Sequence, residues 1–205
     1  MSSTVGEGFW GDPGMGKTTL AQQRMILRAG DRGVPCIFFD IERNLLPPGA
    51  EVIRGTDPEA IIAPVWDEGL HVVYSPPPDR VSIEKFFNIV RGGGNCCLLV
   101  DEAHNVAKGE AASPALLHLC RVRRPYGVDL FFTSTQPQDL HATAWSVITR
   151  TSVFHSDSAY ALDRLKREVR ITKDHERAIL ALRPFEYLIF GDAEGEHELA
   201  ARRAA

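Results

Sequence analysis

The stretch "GDPGMGKT", residues 11–18, constrains the fold of this chain more than any other feature of its sequence. It matches the pattern G-x-x-x-x-G-K-[ST] in full, with an apolar segment before it and a helical segment after it. Glycines in such a loop let successive backbone N–H groups point at phosphate oxygens, and the amino end of the following helix adds a positive dipole. The sequence therefore predicts a strand–loop–helix unit that binds the phosphates of a nucleotide.

Two side chains of this loop have distinct expected roles. Lys17 is expected to reach the β- and γ-phosphates, and the hydroxyl group of Thr18 is expected to hold Mg²⁺. The predicted cofactors are therefore ATP and Mg²⁺. The residues expected to contact the nucleotide are Asp12, Pro13, Gly14, Met15, Gly16, Lys17, Thr18 and Thr19.

The second motif is "CCLLVDEAH" at residues 96–104, in which two carboxylates follow an apolar strand. The carboxyl ends of parallel strands form the ligand-binding edge of a sheet. Asp101 suits the Mg²⁺ shell as a hard oxygen ligand. Glu102 is placed to activate a water molecule opposite the γ-phosphate, which favours hydrolysis over phosphoryl transfer to an acceptor. His104 is expected to be a polar loop residue.

The string "DEAH" within this motif also occurs in a class of helicases. Those helicases form their nucleotide cleft between two RecA-like domains of one chain. A chain of 205 residues has room for one such domain. We therefore expect a single ATPase domain over residues 1–205, with a frayed or helical tail at 192–205.

The rest of the chain alternates apolar strand-like runs with helical segments, which indicates an α/β fold with a mainly parallel sheet. Strands are predicted at residues 4–10, 34–40, 96–101, 128–133, 151–155 and 186–190, with peripheral strands at 51–54 and 71–74. Helices are predicted at 16–29, 82–91, 114–122, 157–168 and 174–182. The first of these helices is expected to end at Gly30, the second to begin at Ser82, and the third to be capped by Ser113.

Composition limits the partners and the compartment. The net charge of −4 argues against a protein that coats nucleic acid with its whole surface, but it permits a small basic patch such as 121–124 or 164–170. The four cysteines form no C-x-x-C pair, as expected of reduced, buried thiols in a cytoplasmic protein. No apolar run is long enough to span a bilayer, and no secretion signal is recognised.

The segment "RVRRPYGVDLFFTSTQPQDLH", residues 121–141, narrows the class of ATPase. A short arginine-bearing helix leads into an apolar strand that ends in polar residues. Gln136 is expected to lie beside the acidic pair, where it can sense the γ-phosphate or position water. The segment is similar to the corresponding part of the FtsK–HerA superfamily, in which R-x-x-R-x-x-G precedes such a strand. Arg121, Arg124 and Gly127 match that spacing, and Thr135 with Gln136 fills the sensor position.

The resemblance to this superfamily covers residues 5–165 in order. The strand "CIFFD" with its terminal Asp40 resembles the second strand of the family, and Val147 to Arg150 matches the [IV]-x-x-R entry to a later strand. One position departs from the pattern, since Pro137 follows Gln136 directly where the family commonly has arginine and then proline. The sequence also lacks the extra barrel or winged-helix domain of larger cellular members.

This resemblance implies a RecA-like (ASCE) P-loop fold with a sheet of order 5-1-4-3-2, and a homo-oligomeric ring, taken as a hexamer. Each nucleotide would lie at a subunit boundary. Arg124, with Arg121 as the runner-up, would be the arginine finger that reaches the γ-phosphate of a neighbour. The loop 105–113, through Lys108, is the candidate contact to DNA phosphates.

The leading functional hypothesis is an ATP-hydrolysing ring motor that translocates double-stranded DNA into a preformed viral capsid. The bare ATPase domain is similar to the genome-packaging ATPases of icosahedral viruses with internal membranes. Such a motor would work in the host cytoplasm or at the virion vertex, docked on capsid or membrane vertex proteins. The alternatives are a cellular or conjugative DNA pump, a Zot-like ATPase of virion assembly, and a small-molecule kinase, which Glu102 disfavours.

Overall fold

The computed structural model describes residues 4–47, 50–54, 58–59, 65–66, 71–77 and 79–191. Within these residues, eight strands form one sheet in the order β3-β4-β2-β5-β6-β1-β7-β8. The strands are β1 (Gly6–Trp10), β2 (Cys36–Phe39), β3 (Ala50–Arg54), β4 (His71–Ser75), β5 (Cys96–Val100), β6 (Val128–Ser134), β7 (Arg150–Phe154) and β8 (Tyr187–Phe190). All neighbours pair in parallel except β7 and β8.

Helices cover both faces of this sheet. They are α1 (Lys17–Arg32), α2 (Arg80–Gly93), α3 (Pro114–Val122), α4 (Ala142–Trp145), α5 (Ala159–Glu168) and α6 (Lys173–Ala181). Successive strand residues point to opposite faces, so Phe38 packs in the core beneath α1 while Phe39 packs with α2 and α3 on the other side. Strands buried on both faces explain the nearly continuous apolar runs of β2, β5 and β6.

The predicted fold class is confirmed. The five central strands, β7-β1-β6-β5-β2, lie in the predicted order 5-1-4-3-2 when they are counted along the chain without the peripheral ones. Three further strands extend this core. The predicted peripheral strands become β3 and β4 beyond β2, and β8 adds an antiparallel strand beyond β7.

Several predicted helix boundaries differ from the structure, and two of the differences have an identifiable cause. Helix α1 passes through Gly30 and ends at Gly33, a left-handed C-cap with φ 63° whose N–H bonds to the carbonyl groups of Ala29 and Gly30. One glycine inside a helix costs only about 1 kcal/mol, which the buried face of a long helix offsets. Helix α2 begins at Arg80 because the carboxylate of Asp79 accepts the N–H of Ser82 at 2.8 Å.

The expectations for the third predicted helix and for the cysteines agree with the structure. Helix α3 spans Pro114–Val122, with the Ser113 hydroxyl as its N-cap. All four cysteines are buried and unpaired, and burial raises the pKa of Cys120 to about 12. None of the helices in the described part of the chain is both long and apolar enough to cross a bilayer. The predicted tail at 192–205 lies outside the described residues.

Candidate nucleotide and hydrolysis site

Glycine shapes the phosphate loop between β1 and α1. Gly11, Gly14 and Gly16 have φ values of 150°, 75° and 98°, a region that other L-residues rarely adopt. Space is also limiting at Gly11, since an added Cβ would lie 2.7 Å from the Cβ of Phe154 and 2.8 Å from the carbonyl oxygen of His155. The loop can therefore keep this path only with glycine at these positions.

Asp12 anchors the loop to the end of β7. Its backbone N–H bonds to the carbonyl oxygen of His155 at 2.8 Å, and its carboxylate lies 3.1 Å from Nδ1 of the same histidine. The backbone N–H of Asp157 adds a third contact at 3.3 Å. The Asp12 side chain therefore holds the loop in position from the β7 side, a function that its sequence position did not reveal.

Lys17 is the first residue of α1, and only 5% of it is exposed. Its Nζ donates to the carbonyl oxygen of Asp12 at 2.9 Å, so the ammonium group points across the loop. Burial lowers the pKa of Lys17, and this effect outweighs the attraction of Glu102 and Asp101, which favours the charged form. A buried ammonium with one backbone acceptor is well placed to bind a phosphate oxygen.

Asp101 lies directly after β5 and is 6% exposed. Its Oδ1 accepts hydrogen bonds from two hydroxyl groups, Thr18 at 2.9 Å and Thr133 at 2.6 Å. Burial raises the pKa of Asp101 to about 6, although these two hydrogen bonds act in the opposite direction. A carboxylate and a hydroxyl oxygen converge here at the mouth of the loop, which is the donor set that Mg²⁺ prefers. Thr18 and Asp101 thus fit the predicted metal site.

Glu102 adopts a left-handed backbone conformation, with φ 42° and ψ 55°. Its N–H bonds to the Thr133 hydroxyl at 3.0 Å, and its Oε2 accepts the backbone N–H of Thr135 at 2.9 Å and the Thr135 hydroxyl at 3.1 Å. Burial acts to raise the pKa of Glu102, but hydrogen bonds from His104 and Thr135 outweigh it and lower the pKa. The carboxylate therefore stays ionised at neutral pH.

His104 is more than the polar loop residue we expected. Its Nδ1 lies 3.2 Å from Oε2 of Glu102 and 3.0 Å from Oγ of Ser134. The same Ser134 hydroxyl accepts the N–H of Gln136 at 2.9 Å. The side chain of Gln136 is exposed at this edge of the sheet, and the hydrogen bonds with Glu102 are made by Thr133 at the end of β6 and by Thr135 just after it.

The arginine candidates lie at the amino ends of the parallel strands, here called the amino edge of the sheet. The phosphate loop and the acidic pair lie at the carboxyl ends, here called the carboxyl edge. Arg121 is in the last turn of α3, and Arg124 follows the helix; both are exposed. Strand β6 separates this turn from Thr135, and its 7 residues span about 20 Å at roughly 3.3 Å per residue. An arginine side chain cannot bridge that distance within one chain. Arg123 between them is buried and donates to the carbonyl oxygens of Val5 and Val147.

The same amino edge contains a buried charge cluster that sequence reasoning missed. Asp129, fully buried in β6, accepts from Arg28 and Arg32 at 2.8 Å each and from the N–H of Val5 at 2.7 Å. A cavity of about 550 Å³ lies beside it, lined by Arg28, Arg32 and Arg124 among others. A lone aspartate in an apolar strand was the only signal in the sequence.

Lys108, the candidate DNA contact, is exposed on the loop 105–113. Its Nζ pairs with Asp139 at 2.9 Å, and its backbone forms an isolated antiparallel bridge with Leu140. This loop is therefore tied to the segment that follows β6 and Gln136. The second basic patch, 164–170, is largely a solvated face, in which Arg164 pairs with Glu168 and Lys166 with Asp163 and Glu176.

Comparisons with known proteins support the fold. No protein-family model and no curated protein matches the sequence. Among solved structures, the genome packaging NTPase B204 from Sulfolobus turreted icosahedral virus 2, in complex with sulfate, is similar over 93% of this chain and 92% of its own, with a TM-score of 0.73 and 18% identity. VirB4 of Thermoanaerobacter pseudethanolicus matches over 92% and 87%, with a TM-score of 0.69 and 13% identity.

A third similar structure is B204 of Sulfolobus Turreted Icosahedral Virus, described as a DNA-packaging ATPase. It covers 93% of this chain and 94% of its own, with a TM-score of 0.68 and 19% identity. B204 of the second virus has also been solved in complex with AMPPCP. The chain therefore shares the fold of these NTPases and ATPases, as the predicted fold class requires.

Proposed function

We propose that this protein is an ATP-hydrolysing subunit of a ring motor that translocates double-stranded DNA, and that it packages a viral genome into a preformed capsid. One observation carries the proposal: the phosphate loop and acidic pair lie at one edge of the sheet, while the candidate arginine finger lies at the other edge of the same chain. A second copy is needed to complete the site. The fold shared with a genome packaging NTPase supports the same function.

In this proposal, the loop binds the triphosphate through its backbone N–H groups. Lys17 exchanges the Asp12 carbonyl oxygen for the β- and γ-phosphates. Thr18 and Asp101 hold Mg²⁺, which when bound offsets phosphate charge. Thr133 orients both halves of the acidic pair, since its hydroxyl donates to Asp101 and accepts from the backbone of Glu102.

Glu102 acts as the general base. Its carboxylate accepts a proton from the water that attacks the γ-phosphate, while Thr135 and His104 hold its second oxygen in place. Gln136, exposed beside this group, orients the water or senses the γ-phosphate. Charge that develops on the transferred phosphoryl group is stabilised by Arg124 from the neighbouring subunit, with Arg121 as the alternative finger.

The DNA duplex is held by Lys108 on the loop 105–113 of each subunit. A few phosphate contacts per subunit suffice when several subunits, taken as six, share one duplex, and this reconciles DNA handling with a net charge of −4. The loop also links the DNA contact to the catalytic edge through the Lys108–Asp139 pair. The expected setting is the host cytoplasm or the virion vertex, with capsid or vertex proteins as docking partners.

The proposal is tested by phosphate release from Mg-ATP with and without duplex DNA, together with the mass of the nucleotide-bound assembly. We expect a ring that is several times the mass of one chain and turnover that rises with duplex DNA. A monomer whose turnover ignores DNA contradicts the motor. A phosphorylated acceptor in place of free phosphate identifies a kinase.

Glu102→Gln is the variant for the hydrolysis step. It keeps the size and hydrogen-bonding shape of the side chain but cannot accept the proton, so turnover should fall by about a thousandfold while ATP binding is kept. Lys17→Ala is the matched control, which should lose binding as well. Near-normal turnover of Glu102→Gln would show that another group activates the water.

One alternative is a conjugative or other cellular DNA pump. Its chemistry is the same, so phosphate release does not separate the two. Packaging predicts that the ring docks on an empty capsid shell, and a pump of the alternative kind predicts a membrane-bound partner. Zot-like assembly without DNA transport predicts turnover that duplex DNA leaves unchanged.

A further inference from the structure

The turn between α6 and β8 holds an aromatic residue in an unusual conformation. The N–H of Glu186 bonds to the carbonyl oxygen of Arg183 at 3.0 Å, which closes a four-residue turn with Pro184 second and Phe185 third. Phe185 has φ 68°. A turn of this type requires positive φ at its third position and favours glycine there. The backbone of a bulky residue at this position is strained, and such strain is most common at functional sites.

The turn is fastened to the phosphate loop. The N–H of Phe185 donates to the carbonyl oxygen of Met15 at 3.0 Å. Its ring lies against Gly16, since a Cβ built on that glycine would be 2.6 Å from Cδ1 of the ring. The ring therefore sits directly beside the residue that precedes Lys17.

The Phe185 ring is only partly buried. Phe185 is 43% exposed, whereas Tyr187 two residues later is buried against Phe154 with ring centroids 5.3 Å apart. The exposed aromatic surface thus faces solvent at the rim of the phosphate loop. The turn is held by its bond to Met15, but the outer face of the Phe185 ring has no packing partner among the described residues that would account for its exposure.

Sheet order shows which part of a nucleotide would lie on this side. The groups expected at the γ-phosphate, Asp101 and Glu102, follow β5, and the phosphate loop follows β1. From β5 the order continues through β6, β1 and β7 to β8. A triphosphate with its terminal phosphate toward β5 therefore directs its sugar and base toward β7 and β8, where Phe185 lies.

We propose that the exposed face of the Phe185 ring stacks on the base of the bound nucleotide. This inference rests on the proposed function, namely that the loop binds a nucleoside triphosphate. The ligand it recognises is an aromatic base of any kind, because every base has a π-face and stacking does not read hydrogen-bonding groups. The site therefore accepts purine and pyrimidine nucleotides with similar preference as far as Phe185 is concerned.

The test compares Phe185→Gly with the wild type in binding ATP, GTP and inorganic tripolyphosphate, each with Mg²⁺. Glycine adopts φ 68° without strain, so the turn and its bond to Met15 are kept while the ring is removed. We expect the affinity for ATP and for GTP to fall by about tenfold each. The affinity for tripolyphosphate, which has no base, should be unchanged.

Tyr126→Ala is the matched control, because Tyr126 is 42% exposed and lies at the other edge of the sheet. It should leave all three affinities unchanged. Phe185→Trp keeps the stacking surface, so ATP should bind with nearly wild-type affinity and quench the new tryptophan, and tripolyphosphate should not.

Two results would overturn the stacking assignment while leaving the proposed function intact. One is an unchanged affinity for ATP in Phe185→Gly. The other is an equal loss for ATP and tripolyphosphate, which would mean that the ring supports only the loop. A wild-type protein that binds neither ATP nor tripolyphosphate contradicts the proposed function itself.

Discussion

Two buried aspartates, one at each edge of the sheet, have opposite surroundings. Asp129 at the amino edge accepts hydrogen bonds from two arginines and a backbone N–H. Asp101 at the carboxyl edge has two hydroxyl groups on its Oδ1, and burial raises its pKa to about 6. The first carboxylate is paired with arginines of its own chain, whereas the hydrogen-bond donors to the second, among the described residues, are neutral hydroxyl groups. Asp129 therefore stabilises the fold, whereas Asp101 is the carboxylate that the proposed function assigns to Mg²⁺.

The same contrast applies to the arginines. Arg28 and Arg32 are bound to Asp129, and Arg123 is bound to backbone carbonyl groups, whereas Arg124 is exposed beside the same cavity. If the two edges of neighbouring subunits meet, the incomplete site of one receives the exposed cation of the next. Each of the following experiments changes residues at one of the two edges and measures the effect on turnover or on stability.

The largest effect is expected for Arg124→Ala. Loss of an arginine finger lowers turnover by about a thousandfold or more, with ATP binding kept because the length of β6, about 20 Å, separates Arg124 from Thr135 at the carboxyl edge of its own chain. Phosphate release and nucleotide affinity are measured side by side. Arg121→Ala is the matched variant at the neighbouring candidate position, and the larger loss identifies the finger.

Mixing variants tests whether the two edges act between chains. A ring that combines Arg124→Ala with Glu102→Gln contains some sites with an intact Glu102 and an intact Arg124 from different subunits. Activity above that of either variant alone is expected if the finger acts in trans. Activity that never exceeds either parent in mixed rings speaks against a shared site.

The next effect is on stability at the amino edge. Asp129→Asn removes the negative charge that two partly buried arginines share, so the free energy of unfolding should fall by about 3 kcal/mol. Urea denaturation measures this change. Arg28→Lys, which keeps a cation on the more exposed partner, should cost less. A neutral effect of Asp129→Asn would mean that water satisfies both arginines.

The opposite sign is expected at the carboxyl edge. The folded pKa of Asp101, about 6, exceeds its unfolded value, so its contribution to stability is present at low pH and is lost as pH rises toward and through the folded pKa. Asp101→Asn should therefore stabilise the nucleotide-free protein by about 2 kcal/mol at pH 7.5.

The gain from Asp101→Asn should shrink as the pH falls through about 6, the folded pKa below which wild-type Asp101 is itself protonated. Denaturation is followed from pH 4.5 to 7.5 with a chelator present, and hydrolysis of Mg-ATP should be lost in the same variant. A destabilised Asp101→Asn at pH 7.5 would mean that the charge is compensated in the folded chain. The expected result is that Asp101→Asn gains stability and loses activity, whereas Asp129→Asn loses stability.

Much of the fold and of the catalytic edge was predictable because the signals are local. The loop at 11–18 specifies backbone conformations that glycine supplies, and continuous apolar runs identify strands buried on both faces. Helix α3 was located to the residue because Ser113 and Pro114 form a cap that depends on adjacent positions only.

What could not be predicted depends on contacts between distant positions. Asp129 meets Arg28 across 101 residues of sequence, and Asp12 meets His155 across 143. No periodicity links such pairs. The position of the Phe185 turn could not be predicted for the same reason. Phe185 contacts Met15 and Gly16 only because β8 pairs with β7 and brings the turn to the phosphate loop.

The smallest effect is expected for His104→Ala. His104 lies 3.2 Å from the Glu102 carboxylate and is the first of the hydrogen-bonding partners that lower the pKa of Glu102. Without it that pKa rises, so turnover at saturating Mg-ATP should begin to fall at a higher pH on the acid side. Near pH 7.5 the loss should stay below about tenfold, the value of one hydrogen bond.

Saturating substrate is required because turnover then reports groups in the bound complex rather than nucleotide binding. His118→Ala, an exposed histidine on α3, is the matched control and should leave the pH profile unchanged. Thr135→Val, which removes another hydroxyl donor to Glu102, should move the acid limb in the same direction as His104→Ala. An unmoved acid limb in both variants would mean that Glu102 is not the group whose ionisation limits hydrolysis, and the base would then have to be sought elsewhere at the carboxyl edge.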